Sequence, residues 1–572
     1  MKQEFDVVVV GSGAGAMMAA LRAHDEGLSV ALIEKSDRYG GTSAVSGGGI
    51  WIPLNKQIKD DREAVLAYVR AAAQGQVADA RLVAYVDTAH EMVEYLQQAT
   101  RLRYAACHRY PDYYPQLVGA REGGRTMDPE VFDGGLLGEE LARLREPSGS
   151  TLLMGKVSMT ARDAHRMLAK EKGWKLLFAK LMLRFALDFR ARKKLGRRTD
   201  RRLALGNALV AGLRHGLLTR QVPLYLETAL ESLLFEGGRV CGVVAAHKGE
   251  RIELRARRGV VLAAGGFERN QALRDQYLPA PNQAAWGVTP PNNTGDALLA
   301  AQALGAATDL MQWAWWAPTI HVPKQAAQTG LFAERSLPGC IAVDGDGRRF
   351  VNEAKPYLEF VTAMYARHRE NGKCVPAWLV FDADFRHKYP MGPLMPGQVA
   401  PDRKSWQGVV YWKADTLEGL AKEIGVNAAG LAATVARVNE DAASGTDRDY
   451  GKGGNVFDRY YSDASVKPNP CLAPIAKGPF YAMRLDAGDI GTKGGLSTNE
   501  DAQVLDERGA PIAGLYAIGN TSASVMGPSY PGAGSTLGPA LTFGYRAARH
   551  LARPAGQAAA VAAVSAPAGV AC

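Results

Sequence analysis

The chain has 572 residues, 47% of them hydrophobic and 22% charged, a globular composition with length for roughly three or four domain-sized units. Six scattered cysteines without a CxxC pair, and ten histidines without ligand spacing, exclude a disulfide framework and predict no metal site. The net charge of +10 is carried by residues 170–202, where thirteen Lys or Arg face three acids, and the rest of the chain is neutral overall.

Val7 to Val10 is the first apolar run. It is too short for a signal peptide, and no stretch has the apolar length of a membrane span, so a cytoplasmic protein is expected. The run suits a strand buried on both faces. Gly11-Ser12-Gly13-Ala14-Gly15-Ala16 follows, then a helical stretch through His24 and a second strand, Ser29 to Ile33, ending at Glu34. This is the pattern of a βαβ dinucleotide unit: Gly11 for the tight turn, Gly13 for close approach of a pyrophosphate, Ala16 for helix–strand packing. A glycine turn alone is weak evidence. Glu34 strengthens it, because a carboxylate at that strand end accepts ribose hydroxyls. Ala14 at the helix start and Lys35 beside Glu34 complete this group of cofactor candidates.

Residues 163 to about 218 form a basic insert. Trp174, Leu176, Phe178, Leu181, Leu183, Phe185, Leu187 and Phe189 interleave with Lys175, Lys180, Arg184 and Arg190. An apolar, aromatic helix with a cationic flank is the composition of an interfacial membrane binder, which predicts docking through residues 170–202 on the inner face of the cytoplasmic membrane. The competing reading is a helical pair packed on the protein's own core with a solvated basic face. Nucleic acid is not expected, since no recognition motif accompanies the charge.

Strands are predicted at Val222 to Leu226, Leu233 to Phe235, Arg239 to Ala246 and Arg251 to Arg255, closing in the run Gly259 to Gly266. From 281 to 475 the pattern is mixed α+β with no nucleotide motif. The dinucleotide-like pattern returns over 476–552, where Gly514-Leu-Tyr-Ala-Ile-Gly519-Asn520 precedes a loop carrying Tyr530 and Gly534. Pro539 belongs in a helix's first turn, so the amides before it, up to Leu537, are free for a ligand. The Tyr530 phenol and the Gly534 amide converge there on one oxygen at the positive end of a helix dipole, an arrangement that polarises a carbonyl. The organisation is therefore read as 1–280 plus 476–552 around an inserted 281–475, with 553–572 a mobile Ala/Pro tail.

Gly40-Gly41-Thr42-Ser43, Ser46-Gly47-Gly48, Ala263-Ala264-Gly265-Gly266 and Gly519-Asn520 resemble the cofactor loops of the fumarate reductase and succinate dehydrogenase flavoprotein superfamily. The resemblance implies FAD and an α/β fold: a Rossmann-like FAD-binding domain with a central parallel sheet and an inserted α+β catalytic domain. Within that superfamily, most of residues 5–552 resembles the 3-ketosteroid Δ1-dehydrogenases. Tyr530-Pro531-Gly532-Ala533-Gly534 matches the family's Tyr-x-Gly-x-Gly segment, which implies that Tyr530 and Gly534 polarise the substrate ketone. Arg349-Phe350-Val351-Asn352-Glu353-Ala354-Lys355-Pro356 precedes Tyr357, the implied proton-abstracting base. Pro111-Asp112-Tyr113-Tyr114 supplies the supporting Tyr113, with Tyr114 its near neighbour, and Tyr110 and Tyr481 are read as structural.

The chemistry needs these residue types. Dehydrogenating adjacent saturated carbons requires an acidified C–H, and a ketone acidifies it only if its oxygen is stabilised. A tyrosinate base, with an ordinary pKa of about 10, needs a hydrogen-bonding neighbour such as Tyr113. The partners implied are a 3-ketosteroid and a quinone or artificial electron acceptor, with no oligomeric state assigned. Two alternatives stand beside this reading. One is a Δ4-(5α)-ketosteroid dehydrogenase or a fumarate-reductase-like reductase, in which His321 or Arg349 would hold an acid. The other is a membrane-associated flavoprotein carrier without turnover.

Overall fold

The computed structural model describes residues 2–148, 151–168, 171–196 and 198–554. The expected mobility of the tail concerns residues that, from 555 onward, lie outside the described ones.

Val7, Val8 and Val9 are completely buried, as a β-branched run covered on both faces must be. Their strand, Lys2–Val10, lies between Val30–Ile33 and Glu250–Leu262, parallel to both. Leu224–Tyr225 extends this parallel sheet at one edge. Glu250–Leu262 changes partner along its length: residues 250–255 pair antiparallel with Arg239–His247, and Val260 to Leu262 pair parallel with Pro511–Ala517. The segments expected as separate strands, Arg251 to Arg255 and the run from Gly259, are thus one strand, because each half finds a different partner.

Two helices cross against this sheet, Ala14–Asp25 and Leu537–Ala552. Gly15 makes the approach possible: a Cβ there would stand 2.8 Å from the Ala540 carbonyl oxygen. The βαβ unit and the C-terminal glycine loop, more than 500 residues apart in sequence, therefore open on the same space.

A second, antiparallel sheet is built on the long strand Phe480–Thr492, which pairs with Ala314–Ile320, Ala377–Phe381 and Trp412–Ala414. This strand falls in the stretch read from sequence as returning to the cofactor half at 476. Its pairing carries the second sheet on to Thr492, because its alternate residues complete that sheet's core. The helix Tyr357–Asn371 packs against the same sheet and delivers its first turn to the boundary between the two sheets.

The basic insert is largely helical: Ala161–Leu168, Trp174–Leu187 and Phe189–Lys194. Of the Trp174–Leu187 helix only Leu181 is buried, in a small cluster with Leu153 and Val157 separate from the main core. Leu176, Leu183 and Leu187, spaced to share one face, are 75%, 60% and 77% exposed, and Phe189 is 60% exposed. No helix among the described residues is long and apolar enough to cross a membrane.

Candidate active site

Tyr113, Tyr357 and Tyr530 come from three distant parts of the chain and meet in one cluster. The Tyr113 and Tyr530 rings stack with centroids 5.3 Å apart, and Tyr357 stands edge-on to both, at 6.0 Å from Tyr113 and 5.1 Å from Tyr530. Trp315, Phe332 and Phe457 complete an apolar surround, at 4.9 Å from Tyr530, 5.1 Å from Tyr357 and 4.8 Å from Tyr113.

The loop bearing Tyr530 is fixed through its backbone. The Pro531 carbonyl accepts from the Tyr68 hydroxyl at 2.6 Å and from the Tyr113 N–H at 2.9 Å, and the Ala533 carbonyl accepts from Thr126 at 3.0 Å. Gly534 then turns at φ +96°, a left-handed conformation, with its Cα packed so closely on Ile50 that a Cβ would stand 2.5 Å from backbone atoms. Glycine is required there on both counts. The Leu537–Ala552 helix follows with no capping side chain, and Pro539 lies in its first turn. Of the amides ahead of it, read from sequence as free, Ser535 N–H donates to the Gly532 carbonyl at 3.1 Å and Gly538 N–H to the Gly534 carbonyl at 2.8 Å, because the chain turns tightly into the helix.

Burial pushes all three phenols above the ordinary tyrosine range, Tyr113 and Tyr357 furthest. For Tyr530, hydrogen bonds with Tyr357, Thr536 and the Gly534 amide pull the other way. For Tyr357, burial is followed by the charges of Tyr113 and Tyr530 and the hydrogen bonds to them, all acting upward. These influences act together to hold the Tyr357 phenol above the ordinary tyrosine range.

The glycine loops expected to hold the cofactor form one wall. Ser12 Oγ accepts from the Gly40 N–H at 3.0 Å and donates to Glu34 at 2.6 Å. The Ala14 N–H donates to Ser43 Oγ at 3.0 Å, Ser46 Oγ donates to the Ser43 carbonyl and receives the Gly48 N–H, and Thr42 Oγ1 accepts from Asn293 at 2.8 Å. Thr521 Oγ1 donates to the Gly265 carbonyl at 2.9 Å, linking the Ala264-Gly265 turn to Gly519-Asn520.

A FAD binding domain family model matches residues 6–537. The 3-oxosteroid 1-dehydrogenase of Comamonas testosteroni is 44% identical, with 96% of each chain aligned. The crystal structure of 3-ketosteroid delta1-dehydrogenase from Sterolibacterium denitrificans, in complex with 1,4-androstadiene-3,17-dione, superimposes with a TM-score of 0.95 at 63% identity, covering 96% of this chain and 99% of that one. The chain belongs to the 3-oxosteroid 1-dehydrogenase family of FAD-binding flavoproteins. Its mixed α/β fold is shared with a flavocytochrome c3 fumarate reductase, at a TM-score of 0.62 and 22% identity over 96% of this chain and 78% of the other.

FAD is the cofactor of this flavoprotein family, and the residues present fit it. The Ala14–Asp25 helix starts at Gly13 with no cap from that residue, and beyond the Ala14 N–H, which Ser43 takes, its first-turn amides are left to receive a pyrophosphate. The position a Cβ would take on Gly47 is open, with nothing within 4 Å. Glu268 Oε2 and Arg145 Nε are buried atoms without a hydrogen-bond partner, Arg145 lying close enough to Glu34 to feel its charge.

Several positions singled out from sequence have protein partners of their own. Lys35, expected at the cofactor, donates to Thr294 at 2.6 Å and pairs with Asp296 at 2.5 Å, so its charge is already engaged. Asn520 places its Oδ1 on the Trp315 indole N–H at 3.1 Å. Tyr110, read as structural, bonds Tyr113 hydroxyl to hydroxyl at 3.1 Å and accepts from Tyr461 at 3.0 Å. The spacing Tyr110-x-x-Tyr113 is the sequence signal for that contact. Tyr481 is structural, stacked parallel on Phe381 and bonded to Asp402. The residues proposed to hold an acid are not placed for it. Arg349 is locked into Glu353 and Asp447, and His321 is exposed.

Proposed function

We propose that this chain is an FAD-dependent enzyme that oxidises 3-ketosteroids at C1 and C2, converting a 3-oxo-4-ene to a 1,4-diene-3-one. The observation that carries the reading is the convergence of Tyr530, the Gly534 amide and Tyr357 in one apolar cluster. The Sterolibacterium relative holds a 1,4-dien-3-one, the compound class this reaction forms.

The Tyr530 O–H and Gly534 N–H donate to the C3 oxygen, and the N-terminal end of the Leu537–Ala552 helix adds positive potential. Withdrawal of charge into that oxygen acidifies C2–H, whose proton Tyr357 removes. Tyr113, braced by Tyr110 and Tyr461, holds the Tyr357 ring edge-on. Bound FAD supplies the acceptor for the hydride that leaves C1. Among the residues named in this cluster none is charged, which suits an uncharged ketone.

The experiment is anaerobic mixing of the purified holoenzyme with a 4-en-3-one steroid. The flavin absorbance is expected to bleach, and persistence of the oxidised spectrum at saturating steroid would refute the reading in favour of a reductase or an electron carrier.

The fold reading that accompanies this proposal is a Rossmann-like FAD domain, 1–280 with the C-terminal stretch to 552, around an inserted catalytic α+β domain. Quinone is the acceptor that suits an enzyme at a membrane surface. Docking on the inner face of the cytoplasmic membrane is supported by the exposed stripe Leu176, Leu183 and Leu187, continued by Phe189, flanked by the exposed Lys193 and Lys194 cations. Replacing those four apolar residues with serine is expected to abolish co-flotation with anionic liposomes while flavin content stays intact. Unchanged flotation sinks the docking proposal.

A further inference from the structure

Behind the tyrosine cluster lie two ionisable groups that the reaction above leaves unused. Lys493 follows the strand Phe480–Thr492 and is 0% exposed. Its ammonium lies 3.4 Å above the centroid of the Trp315 ring and donates to the Ser529 carbonyl at 2.7 Å. Glu359 sits in the first turn of the helix that begins at Tyr357. It accepts a hydrogen bond from the Tyr114 hydroxyl, and its Oε2 is buried without a partner.

These two groups meet at one peptide. The Tyr114 oxygen that donates to Glu359 also accepts the Tyr530 N–H, at 2.8 Å. Ser529 C=O and Tyr530 N–H belong to the same peptide unit, so that plane is held from both ends, by Lys493 and by Tyr114. Through Glu359, the second hold is anchored on the helix that carries Tyr357. Packing alone does not account for such a pair: a buried ammonium given only a carbonyl and a ring, and a carboxylate with an idle oxygen, each cost more than an apolar side chain of like volume.

We propose that Lys493 and Glu359 are positioning residues of the carbonyl-polarising site, which clamp the Ser529–Tyr530 peptide and so fix the Tyr530 phenol against Tyr357. This rests on the assignment of Tyr530 above. Ionised Glu359 accepts the Tyr114 hydrogen and leaves the Tyr114 oxygen to receive Tyr530 N–H. Protonation of Glu359 removes the negative charge from that acceptor and weakens its hold on the Tyr114 hydrogen. Burial raises Glu359 to about 7, against the Tyr114 hydrogen bond and the Lys493 and Lys355 charges; burial likewise drives Lys493 well below the ordinary lysine range, against the Glu359 charge, and Tyr68 also senses Glu359. The clamp therefore loosens as pH falls through that value.

The test compares holoenzymes carrying Lys493→Met, Tyr114→Phe, Glu359→Gln and Tyr530→Phe in single-turnover flavin reduction by a 4-en-3-one, with steroid affinity read separately from perturbation of the flavin spectrum. Lys493→Met and Tyr114→Phe are expected to slow reduction by about 100-fold with little change in affinity, the scale of misplacing a catalytic group by about 1 Å. Wild-type reduction should lose rate below pH 7, and Glu359→Gln should flatten that acid limb. If Lys493→Met does not retain flavin, Tyr114→Phe decides, since it removes one hydroxyl and keeps the ring. Wild-type rates in Tyr114→Phe together with an unchanged acid limb in Glu359→Gln overturn the inference while Tyr530→Phe is slow. A wild-type rate in Tyr530→Phe removes instead the assignment beneath it.

Discussion

Tyr530→Phe is expected to reduce its flavin about 10³-fold more slowly than the wild-type enzyme when mixed anaerobically with a 4-en-3-one steroid, while retaining FAD. The substitution removes one hydroxyl and leaves the ring, so the stacking on Tyr113 at 5.3 Å and the edge contact with Trp315 at 4.9 Å persist. The backbone is also untouched, because the loop is held at its Pro531 and Ala533 carbonyls and at the Tyr530 N–H. What disappears is one of two donors to an oxygen that gains negative charge only as C2–H ionises. Its loss is therefore felt in the rate of reduction and not in steroid affinity. A rate within a few fold of wild type would refute the polarising role.

Tyr357→Phe is expected to cost about 10⁴-fold in the same measurement, the upper end of what a positioned general base supplies. Its pH dependence separates this role from a packing effect. Burial, the neighbouring phenol charges and the hydrogen bonds to Tyr113 and Tyr530 all hold the Tyr357 pKa well above the usual tyrosine value. Below that pKa the basic form is a minor species whose fraction rises tenfold per pH unit. Flavin reduction by wild type should accordingly accelerate with rising pH into the alkaline range. In Tyr357→Phe the alkaline rise should vanish along with most of the rate. A retained rise in the variant would place the base elsewhere in the cluster, with Tyr113 the nearest candidate.

Much of the cofactor wall was legible from sequence because each part is local. A turn that needs glycine at Gly11, a strand that ends in Glu34, and Gly40 to Ser43 immediately beyond it are contiguous signals within about 35 residues. Lys35 shows the limit of that legibility. It sits one position from Glu34, yet its partner Asp296 lies on another segment, and only folding reveals that the charge is engaged. The same holds for Asn293, which reaches both Thr42 and Glu268.

The tyrosines divide in the same way. Tyr530, Tyr357 and Tyr113 each stand in a short motif, whereas Tyr110 is marked only by its spacing from Tyr113, and nothing local in the sequence announces its other partner, Tyr461. Lys493 gives no signal at all: between Thr492 and Gly494 it reads as an ordinary surface lysine at the end of a strand. The strand that precedes it completes the second sheet and carries it into the core, which composition does not encode.

By itself the sequence determined the βαβ unit and its glycine turns, which follow from local backbone requirements, and its resemblance to a known family supplied the flavoprotein class and the tyrosine site. The tertiary structure decided which side chains are spent on one another, how far burial moves the phenols, and that one helix carries both Tyr357 and the anchor of the Tyr530 peptide. Those properties depend on groups more than 100 residues apart sharing a water-poor interior, where every hydrogen bond made to one partner is withdrawn from another.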